Sequence, residues 1–256
     1  MIDIESYKIL GNLPKHIKWE WSETIVKIFF NVFSKNIPYG DAIDLGANYG
    51  IHSWNLGNIV KKTGNTLVAV EPDPRCYEFL NDVLDTGNFK SILIKNPISY
   101  AGNISKFRLH PQVQLSKLIE DKLEHKESDI EVQTLSLDTI AAPYIPKYIK
   151  IDVEGQDINA VKGGQNTIIT HRPIISTEWS TSYSTGDQIW YYHFFKNLNY
   201  KMIDFLGNEY DAEHWMSDWH PYWNRFLVPA EHCRLFEFKK QLDYMFQHHG
   251  MENILK

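Results

Sequence analysis

Two cysteines, Cys76 and Cys233, are all that the 256-residue chain carries. They are too few for a disulfide framework or a cysteine-ligated zinc site, and they suit a reducing compartment. No apolar run reaches the roughly 20 residues that a membrane-spanning helix needs. The first residues also lack the basic segment and apolar core of a secretion signal, so a cytoplasmic location is expected. Basic residues are outnumbered: 26 Lys and Arg against 32 Asp and Glu leave a formal charge of −6. No global positive field draws nucleic acid to such a chain. The G-x-G-x-x-G of a dinucleotide site, the Gly-Lys-Ser/Thr of a phosphate-binding loop and an H-x-x-x-H metal spacing are all missing, as are internal repeats and long low-complexity linkers.

What is present is an ordinary globular composition, 43% hydrophobic and 23% charged, with a length that fits one large domain over 1–256. Aromatic residues are the exception to the ordinary: 8 Trp, 14 Tyr and 13 Phe, with Trp179, Trp190, Trp215, Trp219 and Trp223 all in the last third. The chain is organised around Ile43-Asp44-Leu45-Gly46-Ala47-Asn48-Tyr49-Gly50. A short apolar strand over 41–45 ends at an acid and breaks at Gly46, where the missing Cβ lets backbone approach a ligand. From Ile51 the apolar residues Trp54, Ile59 and Val60 recur at helical spacing, so a helix is expected right after Gly50. Strand, glycine turn and helix make half of a Rossmann unit, and its G-x-x-x-G turn need not cradle a pyrophosphate. A second apolar run, 66–70, ends in Glu71-Pro72. A carboxylate at that strand tip can accept hydrogen bonds from two ribose hydroxyls. S-adenosylmethionine has that ribose and no phosphate, and its ammonium would sit near Asp44 while its amino-acid end meets the backbone of Gly46, Ala47, Asn48 and Gly50.

The remaining chain follows the same alternation. A helix over 19–33 is expected to pack on the sheet as an N-terminal cap spanning 1–40. Pro74 suits the first turn of a helix whose stripe is Tyr77, Leu80, Val83 and Leu84, stopped by Gly87-Asn88. Residues 91–94 read as a third strand with Asn96-Pro97-Ile98-Ser99 at its tip, an expected edge of the adenine pocket. The charged stretch between Pro111 and Asp129 reads as a surface helix or mobile loop over the cleft, and 130–134 as an edge strand. Tyr148-Ile149-Lys150-Ile151-Asp152-Val153-Glu154-Gly155 repeats the form of the first stretch, and 172–179 ends in Glu178-Trp179. In an open parallel sheet ligands lie beyond the carboxyl ends of the strands, so Asp152, Glu154 and Glu178 are expected beside the cofactor. Strands at 200–205 and 225–229 and a helical tail from Glu231 complete the chain, with 41–180 as the cofactor-binding core.

With these stretches in place the sequence resembles the FkbM family of S-adenosylmethionine-dependent O-methyltransferases. The matching motifs are Asp44-Leu45-Gly46-Ala47-Asn48-Tyr49-Gly50-Ile51-His52, Val70-Glu71-Pro72-Asp73-Pro74, Leu137-Asp138, Lys150-Ile151-Asp152-Val153-Glu154-Gly155 and Val161-Lys162-Gly163-Gly164. They run in the family's order over about 41–180; Asp157 and Val161 stand where glutamate and leucine are commoner. The resemblance implies a Rossmann-like class I methyltransferase, α/β, with a seven-stranded mostly parallel sheet and flanking helices. It also implies S-adenosyl-L-methionine as cofactor, S-adenosyl-L-homocysteine as product, and a cofactor contact set extending to Ile51, His52, Pro72, Asn96, Ser99 and Asp152. Members act on hydroxyls of sugars, glycolipids or polyketides. For this chain the expected acceptor is a sugar or nucleotide-activated sugar for a bacterial capsule or other surface polysaccharide. Acceptor choice is expected in 181–256, an aromatic-rich C-terminal cap, and homo-oligomerisation is compatible with the sequence.

Methyl transfer to a sugar hydroxyl needs alignment and a group that takes the proton. Asp152 is the first candidate base, followed by Glu154 and Glu178. The competing reading of Glu154 is a cap on the helix near Asp157, and that of Lys150 is plain pairing with a neighbouring acid. His52, His193 and His220 are the candidate histidines, although a lone histidine is more often structural. A divalent metal on Asp152, Glu178 and a histidine lacks compact ligand spacing, so a metal-free base is expected. Trp215, Trp219, Tyr222 and Trp223 could offer flat faces to a pyranose ring, with Asp218 and His220 beside them, or simply pack as core. The rival readings are an O-methyltransferase for a polyketide or other small metabolite and a catalytically silent binding module on the same fold. An Asn/Asp-Pro-Pro-Tyr/Phe motif for base amines is missing, which with the negative charge disfavours a nucleic-acid substrate.

Overall fold

The computed structural model of the protein describes residues 21–37, 39–119, 129–179, 183–217 and 224–249. In chain order these form α1 (Trp21–Phe33), β1 (Asp41–Leu45), α2 (Ile51–Lys61), β2 (Thr66–Val70), α3 (Tyr77–Gly87) and β3 (Lys90–Ile94). There follow β4 (Ile104–Arg108), β5 (Lys117–Ile119), β6 (Asp129–Gln133), α4 (Leu137–Ala141), β7 (Pro146–Ile151), α5 (Asp157–Lys162) and α6 (Gln165–His171). The chain continues through β8 (Ile174–Thr177), α7 (Thr185–Asn197), β9 (Tyr200–Ile203), α8 (Ala212–Ser217), β10 (Arg225–Pro229) and α9 (Leu235–His249). None of the described helices is long and apolar enough to cross a membrane.

Seven strands make one sheet in the order β3-β2-β1-β7-β8-β10-β9. β10 runs antiparallel to both of its neighbours and the other six are parallel, so the expected mostly parallel sheet is observed. The central strands are nearly continuous apolar runs because both faces are covered. Alternate side chains go to opposite faces: Ala42, Leu67 and Ala69 join the core under α1, α2 and α9, while Ile43, Val68 and Val70 join the core under α4 to α7. The first core is closed by phenylalanines, with Phe29 of α1 stacked on Phe226 of β10 at 4.3 Å and Phe238 of α9 against both. The expected helical tail is α9, and Asn88 ends α3 in the left-handed conformation at φ 48°.

The segment 111–129 differs from its sequence reading. Lys117–Ile119 is a strand, β5, in a separate antiparallel sheet of order β5-β4-β6. Polar composition masked this, because a small sheet with one face in water needs few apolar residues. Residues 120–128, the stretch of highest charge, lie outside the described residues, as do 1–20.

Candidate active site

β1 has β2 on one side and β7 on the other, so the chain reverses its winding there and leaves a crevice above the strand tips. The Gly46 turn stands at this point. Gly46 has φ +76°, and a Cβ on it would lie 1.8 Å from the carbonyl oxygen of Asp152. Only glycine allows the β1 and β7 tips to come together so closely. Above the tips is an open cleft lined by Gly46, Asn48, Glu71, Pro72, Asp152 and Glu154 on the main-sheet side. Phe107, Val113, Lys117 and Leu118 line it from the small sheet and its β4–β5 loop.

Glu71, 7% exposed, is held by its own loop. Its Oε2 accepts the Asn48 N–H at 2.7 Å and its Oε1 the Asp73 N–H at 2.8 Å. Burial outweighs these two bonds and lifts its carboxyl to about 7. Each oxygen keeps a lone pair for a further donor. Asp44 lies beneath the turn, fully buried, with Oδ2 accepting the Ser53 hydroxyl at 2.6 Å. Burial raises its pKa against the pull of Lys150.

Lys150 stands beside Asp44 in the β1–β7 register. Its Nζ donates to the Gly46 carbonyl at 2.8 Å and lies 3.1 Å from Asp152 Oδ2 and 3.7 Å from Asp44 Oδ1. The plain pairing expected of this lysine is present, and it is a buried cation that two strand tips share. Burial opposes the Asp152 charge, but Lys150 outweighs it and holds that carboxyl below its ordinary value. Glu178, hydrogen-bonded to Asp152, is driven the other way by burial and by Asp152, Asp157 and Glu154, so it keeps its proton at neutral pH. Asp152, Glu154 and Glu178 each bring a carboxylate oxygen within 4.8 Å of the others. That spacing could hold a divalent cation, although acids from three different positions left no compact motif to read.

Of the sequence candidates, Gly46, Asn48, Glu71, Pro72, Asp152 and Glu154 share the cleft. Ala47, Gly50, Ile51 and His52 form the turn and the start of α2 and do not line it; Gly50 takes φ 92° as the residue before that helix. Burial, aided by Lys150, lowers His52 to about 3, so it stays neutral. His193 is on α7 and exposed. Of the expected tip 96–99, Pro97 and Ile98 line the cleft, whereas Asn96 and Ser99 do not: Asn96 donates to the Gln133 carbonyl at 2.9 Å and Ser99 pairs with the Leu135 backbone. Glu154 is no helix cap, since α5 begins after Gln156 without a side-chain cap, and Glu154 itself takes φ 48° at the cleft. Trp215 is core rather than sugar platform, fully buried and stacked on Tyr191 at 15°. His220, Trp219, Tyr222, Trp223 and Asp218 lie outside the described residues.

Two features escaped the sequence reading. Arg225, 2% exposed at the start of the reversed strand β10, has its guanidinium 3.9 Å from the Trp215 ring centre and 4.2 Å from that of Trp179. The tryptophan excess was its only signal. A cluster of Asp73, Arg75 and Ser116 ties the small sheet to the β2 tip, and residues 43 apart in sequence leave no local pattern.

A sheet of six parallel strands and one reversed strand, with acids at the β1, β2, β7 and β8 tips around a glycine turn, is the class I methyltransferase fold. The chain belongs to the FkbM methyltransferase family: the methyltransferase FkbM domain matches residues 44–213. Among solved structures it is similar to a methyltransferase FkbM from Methylobacillus flagellatus KT, at 15% identity and TM-score 0.48 over 88% of this chain and 58% of that one. It thus spans little more than half the length of that relative. A precorrin-6y C5,15-methyltransferase from Geobacter metallireducens GS-15 matches at 13% identity and TM-score 0.40, covering 73% of this chain and 76% of that one. TYW2 of M. jannaschii, in complex with AdoMet, matches at 11% identity and TM-score 0.38, covering 83% and 76%. No curated protein matches.

Proposed function

We propose that this methyltransferase moves a methyl group from S-adenosyl-L-methionine to a hydroxyl of a sugar or nucleotide-activated sugar, releasing S-adenosyl-L-homocysteine. The observation that carries the cofactor part is the meeting of Glu71 and Asp152 on either side of the Gly46 turn in one cleft. Glu71, with both oxygens fixed by backbone N–H groups, is suited to receive the two ribose hydroxyls. The Gly46 and Asn48 N–H groups are already taken, so their carbonyls are what they offer the ammonium of the amino-acid end, with Asp44 buried beneath the turn. The cofactor, when bound, brings an electrophilic methyl on a sulfonium. The residues of the chain align the acceptor and move its proton.

Asp152 is the group we assign to that proton. Lys150 keeps it ionised and a protonated Glu178 steadies its orientation, and a carboxylate has lone pairs beyond those two bonds to accept the acceptor hydroxyl. Glu154 shares this end of the cleft. The sugar acceptor, its use in a capsule or other surface polysaccharide, the cytoplasmic location that such activated acceptors imply and the organisation of 1–256 as one domain rest on the family resemblance.

Calorimetry with S-adenosylhomocysteine on the wild type and Glu71→Ala tests the reading. Binding by the wild type and a loss of at least ~100-fold in the variant are expected, since a bidentate charged acceptor is removed. An acceptor screen of nucleotide sugars with and without chelator then follows. Failure of the wild type to bind would favour a silent module.

A further inference from the structure

The β4–β5 loop hangs on a buried carboxylate that methyl transfer does not use. Asp73, 1% exposed, accepts Arg75 Nε on Oδ1 at 3.0 Å and Arg75 Nη2 on Oδ2 at 2.6 Å. Ser116 Oγ donates to the same Oδ2 at 2.8 Å. Arg75 Nη2 also donates to the His110 carbonyl at 2.7 Å, and the His110 N–H donates to Ser116 Oγ at 3.0 Å. The loop is thus gripped at both ends by charged hydrogen bonds that converge on one buried carboxylate, with the Arg75 side chain itself partly exposed. On its other side the Asp73 N–H donates to Glu71 Oε1. The residue that would hold the ribose and the residue that holds the loop are therefore two positions apart and directly bonded.

The small sheet that this loop joins, together with Val113 of the loop, forms much of the apolar lining. Phe107, Val113 and Leu118 share the cleft with Pro97 and Ile98, next to Glu71. An adenine ring lies one glycosidic bond from its ribose and has two apolar faces, so a ribose on Glu71 delivers the base to this apolar stretch. We propose that Asp73, Arg75 and Ser116 form a latch that seats the small sheet as the adenine wall of the cofactor cleft, which makes Arg75 and Ser116 positioning residues for an adenine nucleoside. The inference rests on the S-adenosylmethionine reading of the cleft.

The latch acts through the wall and not through the ribose, so it governs how long the nucleoside stays. Ser116→Ala removes one hydroxyl and should fold as the wild type does. Arg75→Met leaves Asp73 buried without its cation, and Arg75→Lys returns the charge without the planar fork. Stopped-flow and calorimetry with S-adenosylhomocysteine and with adenosine read the effect. We expect dissociation to quicken about tenfold in Ser116→Ala and more in Arg75→Met, with partial recovery in Arg75→Lys and the same factor for both ligands. Hydrogen exchange over 113–119 should slow on ligand addition in the wild type and not in Ser116→Ala. A network that only folds the small sheet would lower Tm and leave the dissociation rate of Ser116→Ala unchanged, and that result overturns the latch alone. No binding by the wild type overturns the cofactor reading and the latch together.

Discussion

Glu71 is both the most buried acid lining the cleft and one that titrates near neutrality, at about 7. A ribose with two hydroxyl donors needs its ionised form. The affinity for S-adenosylhomocysteine should therefore fall as the pH drops through about 7, approaching tenfold per pH unit below it. Glu71→Gln should bind weakly and show no such dependence between about pH 6 and 8, which calorimetry in matched buffers checks. The residue was legible because a carboxylate closing an apolar run marks a strand tip. Its charge was not, because burial and the two N–H bonds come from the fold. Asp152 and Glu178 make the same point: both were readable as acids at strand tips, yet the fold sets them apart, with Lys150 holding Asp152 below its ordinary value while burial and the neighbouring acids raise Glu178.

Among the elements, α1 and α9 are far apart in sequence and share one aromatic cluster behind the sheet. Phe238 is fully buried, with its ring centre 5.5 Å from Phe226 and 5.6 Å from Phe33. Phe238→Ala should cost about 3–5 kcal/mol of stability, by urea denaturation, through lost burial and the cavity left behind. The affinity for S-adenosylhomocysteine at low temperature should stay unchanged, because the cluster lies away from the cleft. Two family motifs also gain a physical reason at this scale. A Cβ on Gly164 would lie 2.4 Å from Leu137, and Asp138 accepts the Thr167 N–H at 2.8 Å and its hydroxyl at 2.7 Å. Leu137-Asp138 and Gly164 therefore pack α4 onto α6, while Gly163 lies close against the backbone of Ser99 and Tyr100. The longer helices and the parallel strands were readable from periodicity, whereas the short helices α4, α6 and α8 show too few turns to read and β5 was hidden by its charge-rich surroundings.

For the whole molecule, the crowding of acids has a thermodynamic signature. Burial raises Glu71, Glu154 and Asp157 each to about 7 and raises Glu178 further. The folded protein then binds more protons than the unfolded chain between the ordinary carboxylate range and these raised values. Stability is greatest while these acids are protonated and is lost as the pH rises through about 7. His52, lowered to about 3, works in the opposite direction below about 6.5 and limits any further gain in acid. With chelator present, Tm should be lower at about pH 8.5 than at about pH 6.5 in a calorimetric scan, and Glu178→Gln should flatten that slope.

The local pattern of the chain was enough to determine the alternating strands and helices, the glycine turn at Gly46, the acids at four strand tips and the family. These are properties of a dozen neighbouring residues, where periodicity and backbone sterics act. Tertiary structure alone decided that Lys150 bridges Asp44 and Asp152, that Arg225 lies within tryptophans, and that Asp73 reaches Ser116 across 43 residues. Which charges survive burial, and which surfaces close over a cleft, depends on atoms brought together from distant parts of the chain, and no local pattern encodes that.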